Sequence, residues 1–203
     1  MLDGILDPCF LQAACSHEVE PVVSDNSIKI MLNKAYDGEN VYVSARFSGY
    51  VRVTAMVNGI QKKTYIEGDP EESIILPFIA DTNTIITIDG DVESLIARNT
   101  GAVIINGAGN NVHNITLDLG SSPDLTELRI PIECSYLNVS SSTKIDTIEY
   151  AGIQSSIGSK VASLINSSTK TGTLYTSTDS TQYATMANAA TSKGWAIVTS
   201  NND

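Results

Sequence analysis

The feature that most constrains this chain is a spaced aliphatic pattern in its second half. Val92-x-x-Leu95-x-Ala97 is followed by Val112-x-x-Ile115-x-Leu117, Leu125-x-x-Leu128-x-Ile130 and Ile145-x-x-Ile148-x-Tyr150, with starts 20, 13 and 20 residues apart. Shorter apolar pieces, Val103-Ile104-Ile105 and Leu137-Asn138-Val139, lie between them. A unit of about 20 residues cannot bury its inward side chains alone, whereas stacked neighbours bury them for one another. The spacing predicts a short, irregular solenoid over residues 90–203, with Val161-x-x-Leu164 and Leu174-Tyr175 continuing the stack less regularly. A stack of this kind needs a polar end. Gly172-Thr-Leu-Tyr175 reads as a strand, followed by a helix capped by Asp179 or Ser180 and starting near Thr181. Tyr183, Met186, Ala187 and Ala190 fall on one helical face; Gln182, Thr185, Asn188, Ser192 and Lys193 supply a polar one. Gly194 ends the helix, and Trp195–Val198 returns as a strand.

Upstream the period is two. Val41, Val43, Ala45 and Phe47 alternate with polar residues, and so do Val51, Val53, Ala55 and Val57. Ser48-Gly49 reads as a turn between adjacent strands, and Asn58-Gly59 as a type I′ hairpin turn. With Ser27–Leu32, Ile60–Ile66, Ser73–Ile79 and Thr84–Ile88 this makes about six strands. One-sided alternation demands a facing sheet, so residues 21–89 are expected to form an antiparallel β-sandwich. An immunoglobulin-like arrangement fits such a count, although its Cys…Trp…Cys signature is lacking. The fold class expected is mainly β.

Residues 1–20 form a third unit. Asp7-Pro8 is a helix start, predicting a short helix over residues 8–16. Leu2, Ile5, Leu6, Phe10 and Leu11 give the unit an apolar side that must dock, either on its own domain or in a partner. Asp3 and Asp7 stand where a secretory signal carries Lys or Arg, so a cleaved export signal is not expected.

Charge narrows the partners. Twelve Lys+Arg against 23 Asp+Glu give a net charge of −11, which argues against nucleic acid and anionic membranes. No apolar run is long enough for a membrane-spanning helix. Catalytic and metal motifs are thin. His17 and His113 lie on unrelated segments, and no G-x-S-x-G elbow is present. Cys9, Cys15 and Cys134 form no C-x-x-C pair and read as free thiols. Gly107-Ala-Gly109 lacks the third glycine of a dinucleotide loop, and Asp89-Gly-Asp91 does not fit a calcium loop. No catalytic residue, metal site or cofactor is expected. The recognition candidates are Tyr42 and Tyr50 with Arg46 and Arg52, on the polar register of the two strands flanking Ser48-Gly49, because tyrosine and arginine are enriched at binding hot spots. Cross-strand stabilisation of a solvent face would use the same residues.

Thr84–Asn99 resembles the start of the leucine-rich repeats in proteins of gut Bacteroidetes and their phages, and Ser135–Tyr150 is similar to their degenerate units. The ending Gly172–Tyr175, a helix, then Lys193-Gly-Trp195 resembles the closing segment of BspA-like repeat proteins. The turn Asn of regular repeats stands clearly only at Asn99, and the repeat lengths are uneven. The resemblance implies attachment or display. The expectation is a non-enzymatic structural protein of a bacteriophage particle, a head fibre, decoration or tail-associated protein. Its N-terminal part would join other virion proteins, with Leu2, Ile5, Leu6, Phe10 and Leu11 in the joint, and its repeats would face a host surface protein or glycan. Homo-oligomers are expected from the apolar N-terminus. The rival readings are a bacterial surface adhesin and a glycan-degrading enzyme.

Overall fold

The computed structural model describes residues 20–33, 43–57, 60–69, 71–76 and 84–200. The expected N-terminal helix with its apolar side chains, Tyr42, Cys9, Cys15, His17 and the Asn58-Gly59 turn lie outside the described residues. Among the described residues the fold is mainly β, with two mixed sheets and two helices.

The first strands are β1 (Ser27–Leu32), β2 (Ser44–Phe47), β3 (Tyr50–Val57), β4 (Ile60–Glu67), β5 (Ile74–Ile75) and β6 (Ile85–Asp89). Alternation sets their faces: in β3, Val51, Val53 and Ala55 are buried while Arg52, Thr54 and Met56 point outward. β3 pairs antiparallel with β4 and β6, and β6 with β1. β2 belongs to the other sheet, where it pairs with β5 and with β7 (Val92–Ile96). Ser48-Gly49 is therefore a corner between sheets, and the expected pairing of the two strands it joins does not form. Gly49 turns the chain at φ +72°, and Gly68 packs so closely on Phe47 that a Cβ there would lie 2.2 Å from the Phe47 carbonyl oxygen.

From β7 onward the chain winds. β8 (Ala102–Asn106), β9 (Ile115–Ser121), β10 (Glu127–Arg129), β11 (Cys134–Ser140) and β12 (Thr147–Tyr150) follow. The last elements are α1 (Ser155–Ser167), β13 (Thr173–Thr176), α2 (Tyr183–Ser192) and β14 (Ala196–Thr199). β7, β9 and β11 are parallel neighbours in one sheet; β8, β10, β12, β13 and β14 are parallel neighbours in the other. Each coil of chain thus lays one element on each layer. The sheet orders are β14-β13-β12-β10-β8-β1-β6-β3-β4 and β11-β9-β7-β2-β5. Both sheets run past residue 90 unbroken, because β1 joins β6 to β8 and β2 pairs with β7. One buried cluster extends from Ile28 to Trp195.

The aliphatic pattern divides between the layers. Leu128 sits opposite Ile148, as the spacing aligned them. Leu95 sits opposite Leu117 instead of Ile115, because the Asn110–Asn114 turn occupies the place given to Val112. Val161 and Leu164 are in α1, a helix the spacing did not reveal; with Ile157 and Ile165 they form its buried face. The helix explains the uneven period. At about 1.5 Å per residue against 3.3 Å for a strand, the 13 residues of α1 span nearly what the seven of β11 do. The coil needs six more residues, and Ile148 pairs with Leu174, 26 residues on. α2 has ten residues, and Leu174 pairs with Ile197, 23 residues on. Its N-cap is Gln182 with no side-chain hydrogen bond, since the Ser180 hydroxyl donates instead to the Gly152 carbonyl at 2.8 Å. Gly194 follows the helix at φ +71°, as expected.

Corners between the layers carry a column of buried hydroxyls. Thr100 donates to the Ala97 carbonyl and Ser122 to that of Leu119; Ser142 donates to Ser122 of the coil before, and Ser168 to Ile145. Each gives a backbone carbonyl at or near a corner a side-chain donor; that of Ser122 also accepts from the Leu125 N–H at 3.2 Å.

Candidate recognition surface

The outward face of the nine-stranded sheet is assembled by register. Lys63, Thr54, Thr87 and Lys29 stand opposite one another across β4, β3, β6 and β1. The same row continues through Asn106, Arg129, Glu149 and Tyr175 on β8, β10, β12 and β13. One line of side chains therefore crosses both the antiparallel and the parallel parts.

At the antiparallel end lies an open groove of about 540 Å³, lined by Asp25, Ser27, Lys29, Arg52, Thr54, Gln61, Lys63, Thr87 and Asp89. Its charges are held in place. Arg52 reaches Asp89 through Nε at 2.9 Å and Nη2 at 2.8 Å. Lys63 donates to both oxygens of Glu20 at 2.8 and 2.9 Å, and the Tyr65 hydroxyl donates to Glu20 at 2.6 Å. The Lys63 and Tyr65 hydrogen bonds hold the Glu20 carboxyl below its ordinary range, and the Glu20 bond raises Lys63. Lys63 also sits 4.8 Å over the Tyr65 ring. Lys29, exposed on the β1 side of the groove, has no ion-pair partner among the described residues. Asp91 accepts hydrogen bonds from Ser24 and Asn26, which fixes the strap leading into β1.

The candidates singled out from sequence are separated. Tyr50 and Arg52 share the outward face of β3, with Tyr50 40% exposed and opposite Glu67, whose charge raises the Tyr50 phenol. Arg46 is on β2 in the other sheet, 3.6 Å from Glu93. Lys29, Thr54, Lys63 and Thr87 were missed; the only signal available was their place in the polar register of strands whose pairing the sequence does not state.

The parallel end of the row is closed by its own partners. The Arg129 guanidinium donates to Glu127 at 2.6 Å and Glu149 at 2.7 Å and lies 5.6 Å from the Tyr175 ring centre. His113 and Glu133 meet at 2.8 Å on successive coils, with side chains 77% and 45% exposed, so the pair stands on the surface. Burial pushes the Cys134 thiol up to about 12. Among the described residues no group of three or more His, Cys, Asp or Glu is placed to hold a metal ion. Compared with protein-family models, curated proteins and solved structures, the chain matches none of them.

Proposed function

We propose that this chain is a non-enzymatic structural protein of a bacteriophage particle, which joins other virion proteins through its N-terminal segment and whose outer sheet face meets a host-surface glycan or protein. In this reading the antiparallel strands are the β-sandwich, and the winding region is an irregular leucine-rich-repeat solenoid with hydroxyls in place of the turn Asn. The observation that carries the attachment role is the open groove. Fixed cations, carboxylates, Thr54, Thr87 and Gln61 offer donors and acceptors side by side without enclosing a ligand, which suits a hydroxyl-rich surface polymer. The parallel coils extend that face away from the groove and give it reach.

The test has two arms. Mass spectrometry of purified particles should find the chain as a stoichiometric component. Binding of the purified protein to host capsular polysaccharide should fall at least tenfold in the Lys29→Ala, Thr54→Ala double variant, with the far-ultraviolet dichroism unchanged. Reducing-end release from the polysaccharide, or wild-type binding that the double variant retains in full, overturns the reading.

A further inference from the structure

Among the described residues the two sheets have four edge strands, and the fold protects three of them. β4 carries the exposed Lys62 and Lys63, β5 is two residues long, and α1 packs against β11. Charge, shortness and a covering helix keep foreign strands off an open edge. β14 has none of them: it holds no charge and no Pro, and it runs beside β13 without a bulge. Its free backbone groups follow from the parallel ladder. Ala196 donates to the Gly172 carbonyl at 2.8 Å and Ser200 to that of Thr176 at 3.0 Å, so Ala196, Val198 and Ser200 turn their backbone groups toward β13. Ile197 and Thr199 turn theirs the other way, where the described residues place no further strand.

That pattern is its own complement. In an antiparallel pair related by a two-fold axis at Val198, Ile197 of each copy stands opposite Thr199 of the other, and each such pair exchanges two hydrogen bonds. The two Val198 residues then meet at the axis as a non-hydrogen-bonded pair, with Cα atoms about 4.5 Å apart. Val198 stands beside Tyr175 on the outward face and is 46% exposed, so the contact covers apolar surface. Residues 195–200 carry no charged side chain, so the net charge of −11 sets no like charges opposite one another along the strand pair. On the inner side α2 packs against β13 and β14, and its exposed side holds Ala184, Thr185, Asn188 and Thr191, all small or neutral.

We propose that β14 is a dimerisation strand, which pairs antiparallel with β14 of a second copy and joins the two nine-stranded sheets into one about an axis at Val198. The axis is perpendicular to the sheet, so the grooves of both copies lie on the same face. The proposal goes beyond the attachment reading and does not depend on it. A four-residue edge is short for a permanent interface, so the pairing is a concentration-dependent equilibrium. Sedimentation velocity of the full chain over a concentration series should show monomer and dimer in exchange. Val198→Lys sets two ammonium groups together at the axis, and Thr199→Pro removes an outward N–H without touching the ladder to β13. Each should weaken the dimer at least tenfold, with the far-ultraviolet dichroism unchanged. A chain that stays monomeric at every concentration overturns the proposal, as does association that neither substitution weakens. Cross-linking reads the axis directly. With Cys9→Ser and Cys15→Ser in the background, Val198→Cys oxidised with diamide should form a covalent dimer at least tenfold faster than Ser163→Cys, on the exposed side of α1. Equal rates overturn the proposal whatever the sedimentation shows.

Discussion

The two parts of this molecule join distant residues in different ways. In the antiparallel part, side chains meet across irregular separations: Ser24 with Asp91, Lys63 with Glu20, Ser48 with Glu93 and Arg52 with Asp89 are 67, 43, 45 and 37 residues apart. In the coils a single offset recurs. Arg98 with Asp118, His113 with Glu133, Asp118 with Asn138, Asp124 with Lys144, Arg129 with Glu149 and Ser122 with Ser142 are all 20 apart. A coil touches the coils beside it, so its contacts fall about one coil length along the chain: 20 residues for these side chains and, among the backbone pairs, 22 for Leu95 with Leu117 and 26 for Ile148 with Leu174. An antiparallel sheet closes loops of every length, and its contacts carry no common offset.

The largest expected effect tests whether stability follows the same division. Ile30 and Leu174 are both fully buried, so truncating either to Ala should cost about 2–5 kcal/mol. The reach of the damage should differ. Ile30 lies on β1, which ties β6 to β8, so Ile30→Ala should speed amide hydrogen exchange in strands of both parts. Leu174 lies on β13 between two late coils, and in a stack with nearest-neighbour contacts the loosening should stay beyond about residue 145. Faster exchange in β3 and β4 of Leu174→Ala would show that the two parts unfold as one unit.

The second effect is electrostatic and belongs to the coils. Asp118 is nearly buried; the Arg98 guanidinium, then the Asn138 amide, donate to it and hold its carboxyl below the ordinary carboxylate value. A lowered folded value means that ionised Asp118 favours the folded state. Its contribution is complete above about pH 5, where the unfolded carboxyl is also ionised, and fades as pH falls through the lower folded value. Asp118→Asn should cost about 1 kcal/mol at pH 7, kept modest because the Arg98 side chain is 58% exposed. That difference should shrink between about pH 5 and 3 in denaturant titrations. A difference independent of pH would mean that Asp118 acts through packing alone.

How much of this was legible follows from the same contrast. Alternation sufficed for Ser27–Leu32 and Tyr50–Val57, because burial on one side repeats every second residue. Past residue 90 the aliphatic spacing aligned Leu128 with Ile148, and the two stand opposite one another on β10 and β12. Leu95 was matched two residues short of Leu117, since the extra length sits in a turn and apolar spacing cannot locate it. The Ser48-Gly49 corner read as a turn between adjacent strands because a turn sequence does not say which sheet the next strand enters. α1 was hidden because Ser-rich, β-branched sequence has weak helix propensity, although Ile157, Val161, Leu164 and Ile165 carry the helical period. Of the recognition candidates, Tyr50 and Arg52 stayed together and Arg46 went to the other sheet. That split depends on pairing, which alternation leaves open.

The smallest expected effect separates two ways of fixing a coil's register. The Lys144–Asp124 pair joins coils 20 residues apart at 2.7 Å, yet Lys144 is 56% exposed, and such pairs contribute about 0–1 kcal/mol. Lys144→Ala should change stability by no more than about 0.5 kcal/mol, less still in 1 M salt. Ser142 crosses the same step from a buried position, donating to the Ser122 carbonyl at 3.0 Å. Ser142→Ala leaves that carbonyl with the Leu125 backbone N–H at 3.2 Å as its donor and should cost about 1 kcal/mol, insensitive to salt. Thermal unfolding of the two variants at low and high salt ranks them. If Lys144→Ala proves the more damaging, the surface charges hold the coils in step. If Ser142→Ala does, the corner hydroxyls hold them, and the recurring charges at 20-residue offsets follow from stacking already set by buried groups.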